Sequence, residues 1–285
     1  MTIWYTAPTA LRRLIQDEAR IIGKYNLPNL KRVYSVGEPL NPEILFWVRR
    51  VMNKEIYDTW FQTETGGVMI ANRPGLEIKP GSMGKPLAGI KAIAAGESGE
   101  ELGAEKIGSL RLKKGWSSMF RIYLNMEEQY REKFHGEFYD TGDLAKVDED
   151  GYFWFLGRND DVINTSGHLV GPFEVESVLL EIEEIIDVAF IGGPDDMLFE
   201  KIVAFVKLKE GQIWSKGLEV KCRIRVSKQV SPIAVPSEFV VTDRIPKNRS
   251  GKIMRRVIKA QYLGKDLGDI STMEEIGRAS CREKV

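Results

Sequence analysis

Residues 30–67 leave the chain few folds to choose from. Leu30-Lys31-Arg32-Val33-Tyr34-Ser35-Val36 reads as a short strand running into Gly37-Glu38-Pro39. Asn41-Pro42 then opens a helix, with proline at the first helical position, where a missing N–H costs nothing. Ile44, Leu45, Val48 and Val51 recur on its face until Asn53. A second strand, Glu55-Ile56-Tyr57-Asp58, feeds the polar loop Trp60-Phe61-Gln62-Thr63-Glu64-Thr65-Gly66-Gly67. Strand, loop, helix, strand and loop in that order predict a parallel α/β sheet, whose binding sites lie in the loops after the strand carboxyl ends. Upstream, Leu11, Leu14, Ile15, Ala19 and Ile22 predict a helix over 10–24 with Thr9 as its N-cap.

The remaining composition narrows the class. The 285 residues suffice for roughly two domains with cores of their own. A hydrophobic fraction of 43% with 29% charged residues argues against bulk disorder. Lys+Arg and Asp+Glu number 41 each, so there is no net field to favour nucleic acid or an anionic membrane. No run reaches the about 18 apolar residues that span a bilayer, and the start lacks the charged-then-apolar pattern of a signal peptide. Cys222 and Cys281 cannot build a disulfide framework, nor, with His135 and His168, a protein-only zinc cluster. The expected location is the reducing cytoplasm.

From Gly81 onward the texture changes. Short apolar runs at 89–94 and 108–112 read as a small antiparallel sheet, and 144–147 pairs with 152–156 across Asp148-Glu149-Asp150-Gly151 as a hairpin. A domain boundary is expected within Gly157-Arg158-Asn159-Asp160-Asp161. Beyond it, helices at 172–182, 215–229 and 251–263 alternate with strands at 186–192, 201–208 and 238–242, which suits a compact α+β domain. The expected division is 1–159, 160–270 and a tail, 271–285. The end of that tail is either native or translated vector sequence, and both readings stay open.

Several loops have chemical potential. Pro246-Lys247-Asn248-Arg249-Ser250-Gly251-Lys252-Ile253 gathers basic groups at the expected start of a helix, where the helix dipole also favours anions; a solvated basic turn capped by Ser250 is the alternative. Its spacing is not that of a Walker A loop, and 81–86 reads as a plain turn. Asp143, in a turn beside a strand, can accept two hydroxyl hydrogen bonds from a ribose diol, or can simply stabilise its turn. Glu64 can hold Mg²⁺ through one carboxylate, leaving the other ligands to phosphates and water, or cap a surface loop. Gly37-Glu38-Pro39 offers a flat backbone edge for a purine, or is simply a loop. His168 is either a base or a satisfied, partly buried histidine.

Taken in order, Ser35 to Pro39, Asp58 to Gly67, Tyr139-Asp140-Thr141-Gly142-Asp143, Gly157 to His168 and Pro246 to Ile253 resemble the acyl-adenylate-forming superfamily. Within it the chain is most similar to the AMP-forming acetyl-CoA synthetases, through Trp-Phe-Gln-Thr-Glu-Thr-Gly-Gly and Ser-Gly-His. The resemblance implies the C-terminal part of a large α/β domain (parallel sheet plus small antiparallel barrel) followed by a smaller α+β domain. It implies a ligase that activates acetate or a short-chain carboxylate with ATP and passes the acyl group to coenzyme A. Lys252 matches the catalytic lysine and Glu64 the Mg²⁺ ligand. Gly37, Glu38 and Pro39 match the adenine contacts, and Asp58, Thr59, Trp60, Phe61, Gln62 and Thr63 the nucleotide loop. Asp143 and Arg158 match the ribose contacts, Asp160 the hinge, and Ser166 and Gly167 the coenzyme A contact.

Three departures accompany the likeness. Phe61 replaces a tryptophan that floors a small acyl pocket, so a slightly longer acid is also admitted. Leu169 follows His168 where many relatives carry arginine, and Ser227 stands where a basic residue is common. The phosphate loop of the family has no counterpart here, so the chain is expected to be an inactive fragment. The alternatives are a medium-chain acyl-CoA ligase and a non-catalytic module that binds nucleotide or coenzyme A.

Overall fold

Parallel pairing organises the first strands of the computed structural model, which describes residues 1–16, 24, 27–195, 197–248 and 252–273. Strands β1 (Ile3–Thr6), β2 (Arg32–Ser35) and β3 (Ile56–Trp60) run parallel, with Thr6 opposite Ser35 and Ser35 opposite Asp58. Their carboxyl ends therefore finish level, and the loops after β2 and β3 emerge side by side. Between β1 and β2 lies α1 (Pro8–Gln16); Ala19 and Ile22, like Arg249, Ser250, Gly251 and Cys281, fall outside the described residues. Helix α2 (Pro42–Trp47) starts at Asn41-Pro42 as predicted, and its last turn, Val48–Met52, widens to π geometry before Asn53 ends it at φ 50°. Leu11, Val33, Ile44, Leu45, Val48 and Ile56 form the core beneath these helices, each side chain contributing about 1.5–3 kcal/mol by leaving water.

The end of β3 turns antiparallel, pairing with β4 (Ile70–Ala71), which pairs with β5 (Lys85–Pro86). Pro86, read from the sequence as part of a plain turn, thus lies in a two-residue edge strand, where a missing N–H is tolerated. A second, antiparallel sheet follows: β6 (Ala92–Ala95), β7 (Gly108–Lys113), β8 (Phe134–His135), β9 (Phe138–Val147) and β10 (Phe153–Arg158), with α3 (Glu127–Glu132) leading into β8. The β9–β10 connection is the expected hairpin, Gly151 taking φ 79°. A bridge between Gly84 and Phe153 fastens this sheet to β5. A Cβ on Gly84 would lie 2.2 Å from the Ala71 backbone, so only glycine permits that approach.

The described chain divides into two compact units, Met1–Val162 and Ile163–Val285. In the second, β11 (Ile163–Thr165), β12 (His168–Val170), β13 (Ile185–Asp195) and β14 (Phe199–Leu208) form an antiparallel sheet in the order β12-β11-β14-β13, and β15 (Glu238–Val241) adds in parallel to β14. The period of two sorts its faces. Val188, Phe190, Ile202, Ala204 and Val206 pack with α4 (Pro172–Leu180) and α5 (Lys216–Gln229), while Ala189, Ile191 and Val203 pack with Ile258 of α6 (Arg255–Tyr262). Among the described residues no helix is long and apolar enough to cross a membrane.

The predicted helix over 251–263 needs correction. Lys247 and Ile253 pair in a β-bridge, the Asn248 amide donates to the Lys252 carbonyl at 2.9 Å, and Ile253 packs on the α6 side of the sheet. The bridge and the packing of the half-buried Ile253 hold the backbone extended, so the helix begins only at Arg255.

Candidate functional site

The carboxyl end of β3 presents a polar loop to one face of β9. On β9, alternation turns Tyr139, Thr141 and Asp143 to the same buried side. Asp143 is 4% exposed, and its Oδ2 accepts from Trp60 Nε1 at 3.0 Å and Gln62 Nε2 at 3.2 Å. Gln62 Nε2 also donates to the Thr141 carbonyl at 2.9 Å, while its Oε1 accepts from the Tyr139 hydroxyl at 2.9 Å. Arg158, opposite Asp143 in the β9–β10 register, brings Nε to 3.4 Å from Asp143 Oδ1. That Nε is buried and lacks an aligned hydrogen-bond acceptor. A fixed carboxylate beside an unsatisfied guanidinium donor can take a ligand that offers hydroxyls and acceptor oxygens together.

The loop itself is braced from within. Thr65 Oγ1 accepts from the Gln62 amide and the Thr65 carbonyl accepts from Trp116 Nε1 and Ser118 Oγ, at 3.0, 2.9 and 2.7 Å. Gly66 turns at φ 64°, and a Cβ there would lie 2.2 Å from the Ser118 carbonyl oxygen. Glu64 is half-buried and accepts from the Tyr123 hydroxyl through Oε1 at 2.7 Å. Burial, reinforced by Glu64, pushes the Tyr123 phenol upward, so it remains the donor. Among the described residues no three His, Cys, Asp or Glu gather as a metal group. Glu64 nonetheless fits a hard cation that takes most of its ligands from phosphate and water, because only one of its oxygens is used by Tyr123.

The neighbouring loop after β2 differs from the expectation in one respect. Gly37 turns at φ 86° with open space around it, as a flat backbone edge requires. The Glu38 carboxylate, however, is turned to α1, accepting from Thr9 Oγ1 at 2.5 Å and Arg12 Nη2 at 2.7 Å. Glu38 ties the loop down, and the loop presents backbone. Thr59 donates to the Ser35 carbonyl at 2.7 Å, linking β3 to β2. Asp58 is 5% exposed, and burial raises its carboxyl to about 7, with Ser35 and the Thr59 and Leu40 amides offsetting part of the rise. Phe61 and Thr63 are exposed, as is Asp160, which stands two residues before the unit boundary with Oδ1 at 3.6 Å from Arg158 Nε.

In the second unit, Ser166 and Gly167 form the two-residue turn of the β11–β12 hairpin, both at positive φ (52° and 79°). His168 is exposed, contrary to the partly buried reading; it lies at the very start of β12, directly after the turn, before the strand reaches the core at Val170. Of the basic residues expected to gather around 246–253, Lys247 is committed to Asp187 at 2.6 Å. Lys252 is exposed and its ammonium has no hydrogen-bond or ion-pair partner among the described residues. With α6 starting at Arg255, no helix dipole acts at Lys252.

Two family models match the chain: AMP-binding enzyme over residues 1–124, and AMP-binding enzyme C-terminal domain over residues 174–252. The chain belongs to the AMP-binding enzyme family. This member of the family is 49% identical over 276 residues to the acetyl-coenzyme A synthetase of Bacillus subtilis (strain 168), covering 96% of the chain and 48% of the relative. It is 41% identical to that of Deinococcus radiodurans, over 96% and 43%. The chain thus spans about half the length of the curated relatives it matches. Among solved structures it is similar to the anthranilate CoA ligase AuaEII in complex with anthranoyl-AMP (TM-score 0.82, 32% identity, 93% of this chain and 50% of that one). It is also similar to ATP-bound MatB from Rhodopseudomonas palustris (TM-score 0.78, 26% identity, 92% and 51%).

Sequence reasoning gave no individual role to several residues in the first unit of this member of the AMP-binding enzyme family. Tyr123, Trp116 and Ser118 hold the site loop without being singled out beforehand, and Tyr139 and Thr141 stood there only as members of a motif, with no role of their own. Alternation along 139–143 was a usable signal for Tyr139 and Thr141. Nothing local marks Trp116, Ser118 or Tyr123, whose partners lie more than fifty positions away.

Proposed function

We propose that this chain carries the nucleotide-, acyl- and coenzyme A-handling elements of an AMP-forming acetate–CoA ligase. In the first half-reaction a carboxylate oxygen attacks the α-phosphorus of ATP, and the bond to pyrophosphate breaks. In the second, the coenzyme A thiol attacks the acyl carbon, and AMP leaves with the electron pair of the broken acyl–oxygen bond. Adenylation is what makes the second step feasible, since a free carboxylate would have to expel oxide. The reading is carried by one observation: Asp143 is locked by Trp60 and Gln62 beside the unsatisfied Nε of Arg158. The names of the relatives support acetate as the acid.

Within this reading Asp143 and Arg158 grip the ribose, and the backbone of Gly37, Glu38 and Pro39 borders the adenine, with the Glu38 carboxylate as its anchor to α1. Asp58, Thr59, Trp60, Gln62 and Thr63 shape the nucleotide loop, and Phe61 sets the depth of the acyl pocket. Glu64 would hold Mg²⁺, which when bound neutralises charge on the phosphates. Lys252 brings a point charge to the carboxylate and α-phosphate as negative charge builds in the first step. The Ser166–Gly167 turn serves the second step with its backbone amides, and Asp160 is the pivot between the two. We take 1–159 as the end of the large nucleotide domain, 160–270 as the small mobile domain and 271–285 as a tail. We assign the protein to the cytoplasm, where a buried thiol such as Cys222 stays reduced.

Two measurements test this. Calorimetric titration should show AMP binding to the chain and its 2′,3′-dideoxy analogue binding at least about tenfold more weakly, as loss of two charge-assisted hydrogen bonds requires. Equal affinities would remove the ribose assignment. Replacing the matching half of the Bacillus subtilis relative with this chain should leave acetate-dependent ATP–pyrophosphate exchange. Exchange that instead prefers acids of six or more carbons would replace acetate by a medium-chain substrate.

A further inference from the structure

Tyr139 is 1% exposed, with its ring packed against Trp116, Phe120 and Phe134 at centroid distances of 5.9, 5.5 and 5.8 Å. Its one polar atom reaches Gln62 Oε1 at 2.9 Å. A carboxamide can present oxygen or nitrogen on either side, and a donor on one side removes that ambiguity. With Oε1 accepting from Tyr139, Nε2 faces the Thr141 carbonyl and Asp143 Oδ2 and donates to both. The opposite orientation would set the Gln62 oxygen against a carboxylate and a carbonyl. Burial, with Glu64 next, pushes the Tyr139 phenol well above its usual range, so it stays a donor throughout the working pH range.

We propose that Tyr139 is a positioning residue for nucleotide recognition: its hydroxyl sets the Gln62 amide so that Asp143 presents a fixed carboxylate edge to the ribose diol. The proposal rests on the reading of Asp143 as the ribose ligand. It assigns a role to a side chain too enclosed to touch nucleotide, acid or thiol. Tyr139 acts through two intervening groups, Gln62 and Asp143, across 77 and then 81 positions of sequence.

The test uses the 285-residue chain, titrated with AMP and with 2′,3′-dideoxy-AMP. Tyr139→Phe keeps the ring in its aromatic cluster and removes only the donor. It should weaken AMP about fivefold, the share of one buried hydrogen bond, and leave the dideoxy nucleotide unchanged. Gln62→Met removes the relay by a substitution outside β9 and should show the same selectivity, whether or not the tyrosine variant folds. In the Gln62→Met background, Tyr139→Phe should cost nothing more. Equal weakening of both nucleotides, no weakening of either, or additive losses in the double variant would each overturn the proposal. A wild-type chain that binds both nucleotides equally would instead remove the ribose reading on which it stands.

Discussion

Glu176 of α4 holds Arg255, the first residue of α6, with Nη2 at 2.5 and 2.6 Å from its two carboxylate oxygens. The side chains are 7% and 15% exposed, and the Phe190 amide donates to the same carboxylate at 3.0 Å. The pair fixes where α6 begins, and so where the segment carrying Lys252 must end.

Removing one partner strands the other as a buried charge. Glu176→Ala should therefore destabilise the chain by about 3–5 kcal/mol, seen as a lower urea midpoint. Arg255→Met with Glu176→Leu, which removes both charges, should recover most of that loss. A single variant as stable as wild type would show that the pair does not hold the α6 start.

Asp58 makes stability depend on pH in an unusual direction. Its carboxyl is raised from 3.8 to about 7 by burial, so the folded chain keeps a proton that the unfolded chain releases. Between those values folding takes up a proton, and stability falls as pH rises, by up to about 4 kcal/mol over the window. Above about 7 both states are ionised and the contribution levels off. Asp58→Asn should flatten this slope in urea titrations at pH 4.5, 6 and 8, and should stabilise the chain most at pH 8.

The turn at Gly66 leaves no room for a side chain. Gly66→Ala should cost at least about 1–2 kcal/mol for the left-handed backbone alone, and more for the collision with the Ser118 carbonyl. Because Glu64 and Thr65 precede that turn, nucleotide binding should lose its Mg²⁺ dependence along with stability. Gly75, also left-handed at φ 84° but with open space around it, is the control: Gly75→Ala should carry only the backbone cost.

What could be read from the sequence divides along a physical line. Short-range patterns were legible: Pro42 at a helix start, Gly151 in a hairpin, and the parallel order of β2 and β3 with its loops. The site loops were legible as motifs. Their internal bracing was not, because Trp60 and Asp143 are 83 positions apart and meet only through tertiary packing. Glu38 shows the same limit, its carboxylate being claimed by Arg12 on the preceding helix. At 252–254 a local helical pattern misled, since the packing of the half-buried Ile253 and its bridge to Lys247 outweighed the propensity of less than one turn of chain.

Lys247 and Lys252 separate stability from chemistry on one short segment. Lys247 is 17% exposed and ion-paired with Asp187 at 2.6 Å, whereas Lys252 is exposed and, among the described residues, is held through its backbone alone, its amide donating to Asn248 Oδ1 at 2.9 Å. Lys252→Ala should leave the urea midpoint within about 0.5 kcal/mol of wild type, as for other exposed side chains. In the Bacillus subtilis hybrid it should lower acetate-dependent ATP–pyrophosphate exchange by about a hundredfold or more if its charge acts on the transition state as proposed. Thioester formation from supplied acetyl-AMP should persist, because no phosphate is attacked in that step. Lys247→Ala should do the reverse, lowering stability while sparing exchange in the fraction that remains folded. Equal loss in both half-reactions for Lys252→Ala would assign that lysine to binding of AMP and take it out of the adenylation step.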